Sequence, residues 1–147
     1  MTILIEHMKK VLASTFVMYM KTHAFHWNVE GPNFVQYHSF FDTLYNELWG
    51  AIDPIAEHIR AIDAYAPMGL DRFKELSTLG DAPNTILAPE NMFKVLLNDN
   101  ALLLELLKKT QKIAEQEGQV GLANFLQDRH DIHCRKGQEL APHGPVH

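Results

Sequence analysis

Along the chain, apolar and ring side chains recur three or four positions apart in four long stretches, the spacing that turns one face of a helix toward a core. The first stretch, about 2–28, carries Ile5, Met8, Leu12, Phe16, Tyr19, His23 and His26, and Gly31-Pro32 punctuates its end. The second, about 34–63, carries Tyr37, Phe41, Leu44, Leu48, Ile52, Ile55, Ile59 and Ile62. The third, about 90–117, follows Pro89, a residue suited to a first helical turn, and carries Phe93, Leu96, Leu97, Leu103, Leu104, Leu107 and Ala114. The fourth, about 119–140, runs through Leu122, Leu126, His130, His133 and Leu140 until Pro142 and Gly144 stop it. Between the second and third lies a broken connection through Ala66-Pro67-Met68-Gly69, with a short helix at about 71–77 and a loop through Gly80 and Pro83. No segment reads as a strand. Two helix pairs joined by a long connection predict an all-α four-helix bundle with one crossover, a single domain over 1–147.

Composition agrees with a single core and narrows the partners. An apolar fraction of 46% is ordinary for a globular chain, and no run approaches the roughly 20 apolar residues a membrane span requires. The start, Met1-Thr-Ile-Leu-Ile-Glu-His, lacks the basic and apolar regions of a secretory leader, and the lone Cys134 forms no internal disulfide. A cytoplasmic protein with no membrane partner is expected. The net charge of −5 gives no long-range attraction for phosphate backbones. The short basic groups at Lys9-Lys10 and at Lys108, Lys109 and Lys112 read as solvated helix surface.

Chemistry concentrates on the second helix. His38 and Asp42, and again Asp53 and Glu57, stand four apart, so each pair projects from one helix face. All four positions fall within a sector of roughly 100° beside the core stripe. His38 and Glu57 are nevertheless about 28 Å apart along a straight helix, and Asp42 and Asp53 about 16 Å, too far to share an ion. Both spans have the same midpoint, between Glu47 and Leu48. Two copies of this helix packed antiparallel about a two-fold axis there would bring His38 to the partner copy's Glu57 position and Asp42 to its Asp53 position, making two equivalent sites. Tyr45, Asn46 and Trp49 would fill the space between. Such pairs also occur on surface helices that bind nothing, so the spacing alone leaves both readings open.

The run Lys21-Thr-His-Ala-Phe-His-Trp-Asn-Val-Glu-Gly-Pro-Asn-Phe, followed by His38-x-x-x-Asp42 and Asp53-x-x-Ala56-Glu57, resembles the Dps family of miniferritins. The resemblance extends through Arg60-Ala-Ile, Ala66-Pro67 and the Ala114-Glu115, Gly121, Ala123, Leu126, Arg129, His133 pattern, covering essentially the whole chain. It implies a ferritin-like fold and a homo-oligomer, a dodecamer built from two-fold dimers, that oxidises ferrous iron and stores ferric mineral. Hydrogen peroxide is the usual oxidant, so hydroxyl-radical chemistry is suppressed. The resemblance also implies that His26, His38 and Asp42 of one subunit act with Asp53 and Glu57 of its two-fold mate, with Trp27 beside the site. Imidazole and carboxylate donors suit iron, and zinc or manganese would compete.

Three departures matter. Pro54 stands inside the ligand helix, where it removes a backbone donor and presses on the carbonyl of Gly50. Gln119 and Asn124 replace acidic residues expected along an iron-entry pore, leaving Glu115, Glu117, Asp128 and Asp131 nearby, with Asp128 and then Asp131 as the pore candidates. The terminal stretch Ala141-Pro-His-Gly-Pro-Val-His carries no Lys or Arg. A nucleoid-compacting protein with a vestigial metal site is the alternative, and the missing basic tail argues against it. A single-chain diiron catalyst is disfavoured because the chain has no Glu-x-x-His pair. No retardation of DNA is expected in a gel-shift assay near neutral pH at physiological salt, and a persistent shift would overturn this reading.

Overall fold

The computed structural model of the chain describes residues 1–143. Five helices follow in order: α1 (Thr2–Asn28), α2 (Phe34–Ala61), α3 (Leu70–Leu76), α4 (Pro89–Gln116) and α5 (Val120–Leu140), then a 3-10 turn at Ala141–His143. α1 pairs with α2 and α4 with α5, α1 also packs on α4, and the short α3 lies against α1. This is the expected four-helix bundle, with α3 on the crossover. Of the proline and glycine expected to stop the last helix, Gly144 lies outside the described residues, as does the end of the 1–147 domain.

The helix ends follow local chemistry. Pro89 occupies the first turn of α4, where its missing N–H costs nothing. α2 stops at Ala61, short of the expected 63, because Asp63 takes a left-handed φ of 63°. The Asp63 and Ala64 amides then close back on the carbonyls of Arg60 (3.0 Å) and Ile59 (3.2 Å). Gly118 (φ 72°) closes α4 in the same way: its amide bonds Glu115, and that of Gln119 bonds Ala114. The crossover is pinned by Phe73, stacked on Phe16 at 5.0 Å, and by the Ser14 hydroxyl, which accepts from the Thr78 amide at 3.0 Å.

The core has two apolar halves. One contains Leu4, Met8, Val11, Ile55, Ile59, Leu107 and Leu126; the other contains Met18, Phe25, Phe41, Leu48, Phe93, Leu96 and Leu103. The core face of α1 runs through Leu4, Met8, Val11, Thr15, Met18, Thr22 and Phe25, so the expected stripe is rotated. Phe16, Tyr19, His23 and His26 are only half buried; Phe16 meets α3, and the other three line the edge facing α2.

Between the two halves runs a polar waist. Arg129 of α5 holds both oxygens of Glu47 of α2 (2.6 and 3.2 Å), and Lys136 donates to the same carboxylate. Arg129 also donates to Nε2 of His133 (3.1 Å), while Nδ1 of His133 donates to the Asn100 side-chain oxygen (2.7 Å). With one ring nitrogen accepting and the other donating, His133 is neutral. Burial, and then the charges of Lys136 and Arg129, push its pKa well below the usual range. Burial alone would raise the Glu47 carboxyl, but the hydrogen bond and charge of Arg129, with the charge of Lys136, outweigh it and hold the group below the usual range.

A second buried pair joins α1 to α4: Lys21 donates to Asp99 at 2.9 and 3.2 Å, with both side chains 5% exposed. Burial pushes the Asp99 carboxyl up, and the hydrogen bond and charge of Lys21 draw it back only part of the way. Removing one partner of a buried pair leaves the other charge uncompensated. Lys21→Met is therefore expected to cost about 3–5 kcal/mol in urea unfolding at neutral pH. The loss should shrink in acid, where Asp99 takes up a proton, and adding Asp99→Leu should recover most of it. A single-variant loss below about 1 kcal/mol would contradict the assignment.

Candidate metal centre

The hairpin between α1 and α2 brings two histidines together by backbone chemistry. Gly31 turns the chain with a φ of +114°, a conformation L side chains rarely adopt. His26 then lies in the last turn of α1, where carbonyls lack helical donors, and His38 lies one turn inside α2. Nδ1 of His38 donates to the His26 carbonyl at 2.8 Å, and Nδ1 of His26 donates to the His38 carbonyl at 2.7 Å. The rings stack at 3.7 Å, with Phe34 on His38 at 4.8 Å. A carbonyl only accepts, so each Nδ1 carries a proton, and in the neutral ring the lone pair is then on Nε2. This is how outer hydrogen bonds prepare imidazoles for a metal.

Asp42 follows one turn after His38 and is half buried. Asn46 donates to its side-chain oxygen at 3.2 Å and to its carbonyl at 2.9 Å. The hydrogen bond to Asp42, and then burial, push the Tyr45 phenol above its usual range. His23, counted in the sequence only as part of the first helix's apolar stripe, belongs to this region. Its Nδ1 meets the Tyr19 hydroxyl at 2.9 Å, and its ring stacks on Tyr45 at 3.8 Å and contacts Trp27 at 4.4 Å. Burial, and then the nearby His26, push the His23 pKa down. The i,i+4 spacing of Tyr19 and His23 was the available signal; the stack on Tyr45 had none. Trp27 therefore touches His23, one turn away from the paired histidines.

Asp53 and Glu57 are exposed farther along the same helix. Pro54 lies between them within α2 without ending it, and Leu48, Ala51, Ile55 and Ile59 stay buried across it. The two halves of the helix therefore keep one register. Gly50 is exposed with open space around it, so the crowding expected from Pro54 meets no side chain there. Among the described residues, no three His, Cys, Asp or Glu side chains gather closely enough to hold a metal. One chain thus pairs His26 with His38 and carries Asp42 one turn along α2, while Asp53 and Glu57 stand separately farther down the same helix. The chemistry of these donors, two imidazoles and three carboxylates, fits iron. Asp128 and Asp131 are exposed on α5 in a hollow shared with Arg135, and Asp131 accepts from Gln127 at 2.9 Å. No helix is long and apolar enough to cross a membrane among the described residues.

A family model described as a ferritin-like domain matches residues 5–141. The DNA protection during starvation protein 2 of Bacillus anthracis is 36% identical over 111 residues, covering 76% of this chain and 75% of that protein. The crystal structure of Dps from Staphylococcus aureus superposes with a TM-score of 0.92 at 25% identity, covering 98% of this chain and 96% of that one. Dps from Vibrio cholerae, described as a member of a broad superfamily of ferritin-like diiron-carboxylate proteins, shares the fold at a TM-score of 0.91 and 22% identity, over 96% of this chain and 88% of that one.

Partners that orient metal ligands typically contribute 10–100-fold in affinity. Asn46→Ala, which frees the held oxygen of Asp42, is expected to weaken ferrous binding by about 10-fold in anaerobic titration. Unchanged affinity would mean that Asn46 does not set the carboxylate.

Proposed function

The chain belongs to the Dps family of ferritin-like proteins, and from that premise we propose that it is a miniferritin whose substrate is ferrous iron. It oxidises the iron with hydrogen peroxide at sites shared between two subunits and stores the ferric product. The observation that carries this reading is the reciprocal pair of histidine–carbonyl bonds, which engages Nδ1 of His26 and of His38 and leaves each Nε2 for a metal. Asp53 and Glu57 of a two-fold mate complete each site, because the common midpoint of the pairs lets two antiparallel α2 helices exchange their halves. Trp27 and Trp49, 56% and 57% exposed on one chain, supply apolar surface for that contact. A dodecamer assembled from such dimers would enclose the mineral.

Two ferrous ions give one electron each to peroxide, which takes two protons and leaves as two waters. Hard carboxylates favour the ferric product over the ferrous substrate, so oxidation is pulled forward. Zinc and manganese accept the same donors and would compete. The name of the Bacillus anthracis relative speaks of DNA protection. Consuming ferrous iron and peroxide together protects DNA without touching it, in keeping with a net charge of −5.

Anaerobic ferrous titration followed by peroxide tests the reading. The native chain should bind iron and oxidise it rapidly, and His38→Ala with Asp42→Ala should lose both steps. Undiminished oxidation in the double variant would refute the site.

A further inference from the structure

The ionic groups buried between α2 and α5 do not balance. Arg129 and Lys136, each 5% exposed, share the single carboxylate of Glu47, and His133 beside them is neutral. The other buried pair, Lys21 with Asp99, is one cation to one anion. One positive charge of the waist therefore has no carboxylate of its own, and a charge out of water is costly without one. Burial pushes the Lys136 ammonium below its usual range and the charge of Arg129 adds to the push, so the bond to Glu47 restores only part of it.

This excess charge opens onto a groove. Between the N-terminal half of α2 and the C-terminal half of α5 lies a cavity of about 630 Å³, with Lys136 and Glu47 in its wall. That volume is in the range of small-ligand sites. Gln36 and Ser39 of α2 and Arg135 of α5 line it as well, all three exposed and free to turn toward a ligand. Arg135 stands between this groove and the hollow of Asp128 and Asp131, and has no ion pair among the described residues. Thr43 adds no donor, because its hydroxyl is bonded to the Ser39 carbonyl at 3.3 Å. Glu139 is the opposing charge, exposed in the same wall.

An ammonium, a guanidinium, a hydroxyl and an amide thus approach from two helices. A carboxylate has two oxygens to offer them, whereas a phosphate group has three or four, and a guanidinium matches its geometry. We propose that this groove is a binding site for a phosphate group, free or as a monoester, held by Lys136 and Arg135 from α5 and by Gln36 and Ser39 from α2. The bound group bridges the two helices and gives the waist the negative charge it lacks. Ser39 follows His38 by one residue, about 100° round the helix, so groove and iron ligands occupy different faces of α2. Phe40, Leu44 and Ile132 form an apolar wall large enough for the organic part of a monoester.

Isothermal titration calorimetry on the full chain, free of iron and in chloride buffer at physiological ionic strength, tests the site with inorganic phosphate and with phenyl phosphate. Saturable binding of one anion per chain is expected. Arg135→Gln should weaken it about 10-fold, the loss of a charge-assisted hydrogen bond. Glu139→Gln, which removes the opposing charge, should tighten it about 3-fold. Lys112→Gln, on the exposed face of α4, should leave it unchanged, with folding of each variant checked by circular dichroism. Tighter binding of phenyl phosphate identifies a monoester resting on the apolar wall, and equal binding identifies free phosphate; both uphold the site. No saturable binding of either anion, or binding that Arg135→Gln leaves unchanged or Lys112→Gln weakens as much, overturns it. Iron is absent throughout, so that failure leaves the iron site standing.

Discussion

The half-buried carboxylate of Glu47, gripped by two buried cations, sets the rotation of α2, and the chemistry of the molecule depends on that rotation. Arg129 and Lys136 grip Glu47 from α5, and His133 and Asn100 extend the network to α4. Arg129 and Lys136 are taken out of water, which is costly unless they are fully partnered, so few arrangements of these five side chains are tolerated. With Glu47 directed inward, His38, Asp42, Asp53 and Glu57 must look to the other side of the helix. Glu47 also lies at the midpoint of both ligand pairs. The element that fixes the helix thus sits where a two-fold axis would cross it on its outer face.

The α1–α2 hairpin supplies the other half of the geometry. Two carbonyls fix which nitrogen of each histidine carries the proton, and neither bond needs a charged side chain. One of them also satisfies an orphan carbonyl at the end of α1, so ligand preparation and helix termination are one contact. Pro54 is tolerated because the buried residues on either side of it keep their spacing, and the carbonyl it leaves without a donor belongs to exposed Gly50. Water can satisfy that carbonyl.

Much of this was legible in residue spacing. The four helices follow from their apolar periods, and the α2 stripe from Phe41 to Ile59 is the buried one. On α1 the period misled, because Phe16, Tyr19, His23 and His26 form a ring-rich row beside the true core face. Rings weigh heavily in an apolar pattern, yet here they make a half-buried seam between helices. Charge concealed the rest. Lys21, Asp99, Arg129 and Lys136 are buried, against the strong tendency of such residues to face solvent. Asp99 and Asn100 do fall between Leu96 and Leu103 on the α4 stripe, a position that marks polar groups needing internal partners. Their partners lie on other helices, and no local pattern names them. The end of α2 at Asp63 was hidden for a related reason, since a left-handed aspartate leaves no glycine to read.

The central claim is that each iron site is divided between two chains, and subunit complementation tests it most directly. One variant carries His38→Ala with Asp42→Ala, and the other carries Asp53→Asn with Glu57→Gln. Each alone has no intact site. In a dimer containing one chain of each, one site combines both damaged halves while the other combines both intact halves. Dissociating and reassembling the two variants together should therefore restore rapid ferrous oxidation that neither shows alone. Reassembled mixtures that contain mixed dimers yet stay as inactive as the separate variants would contradict the account.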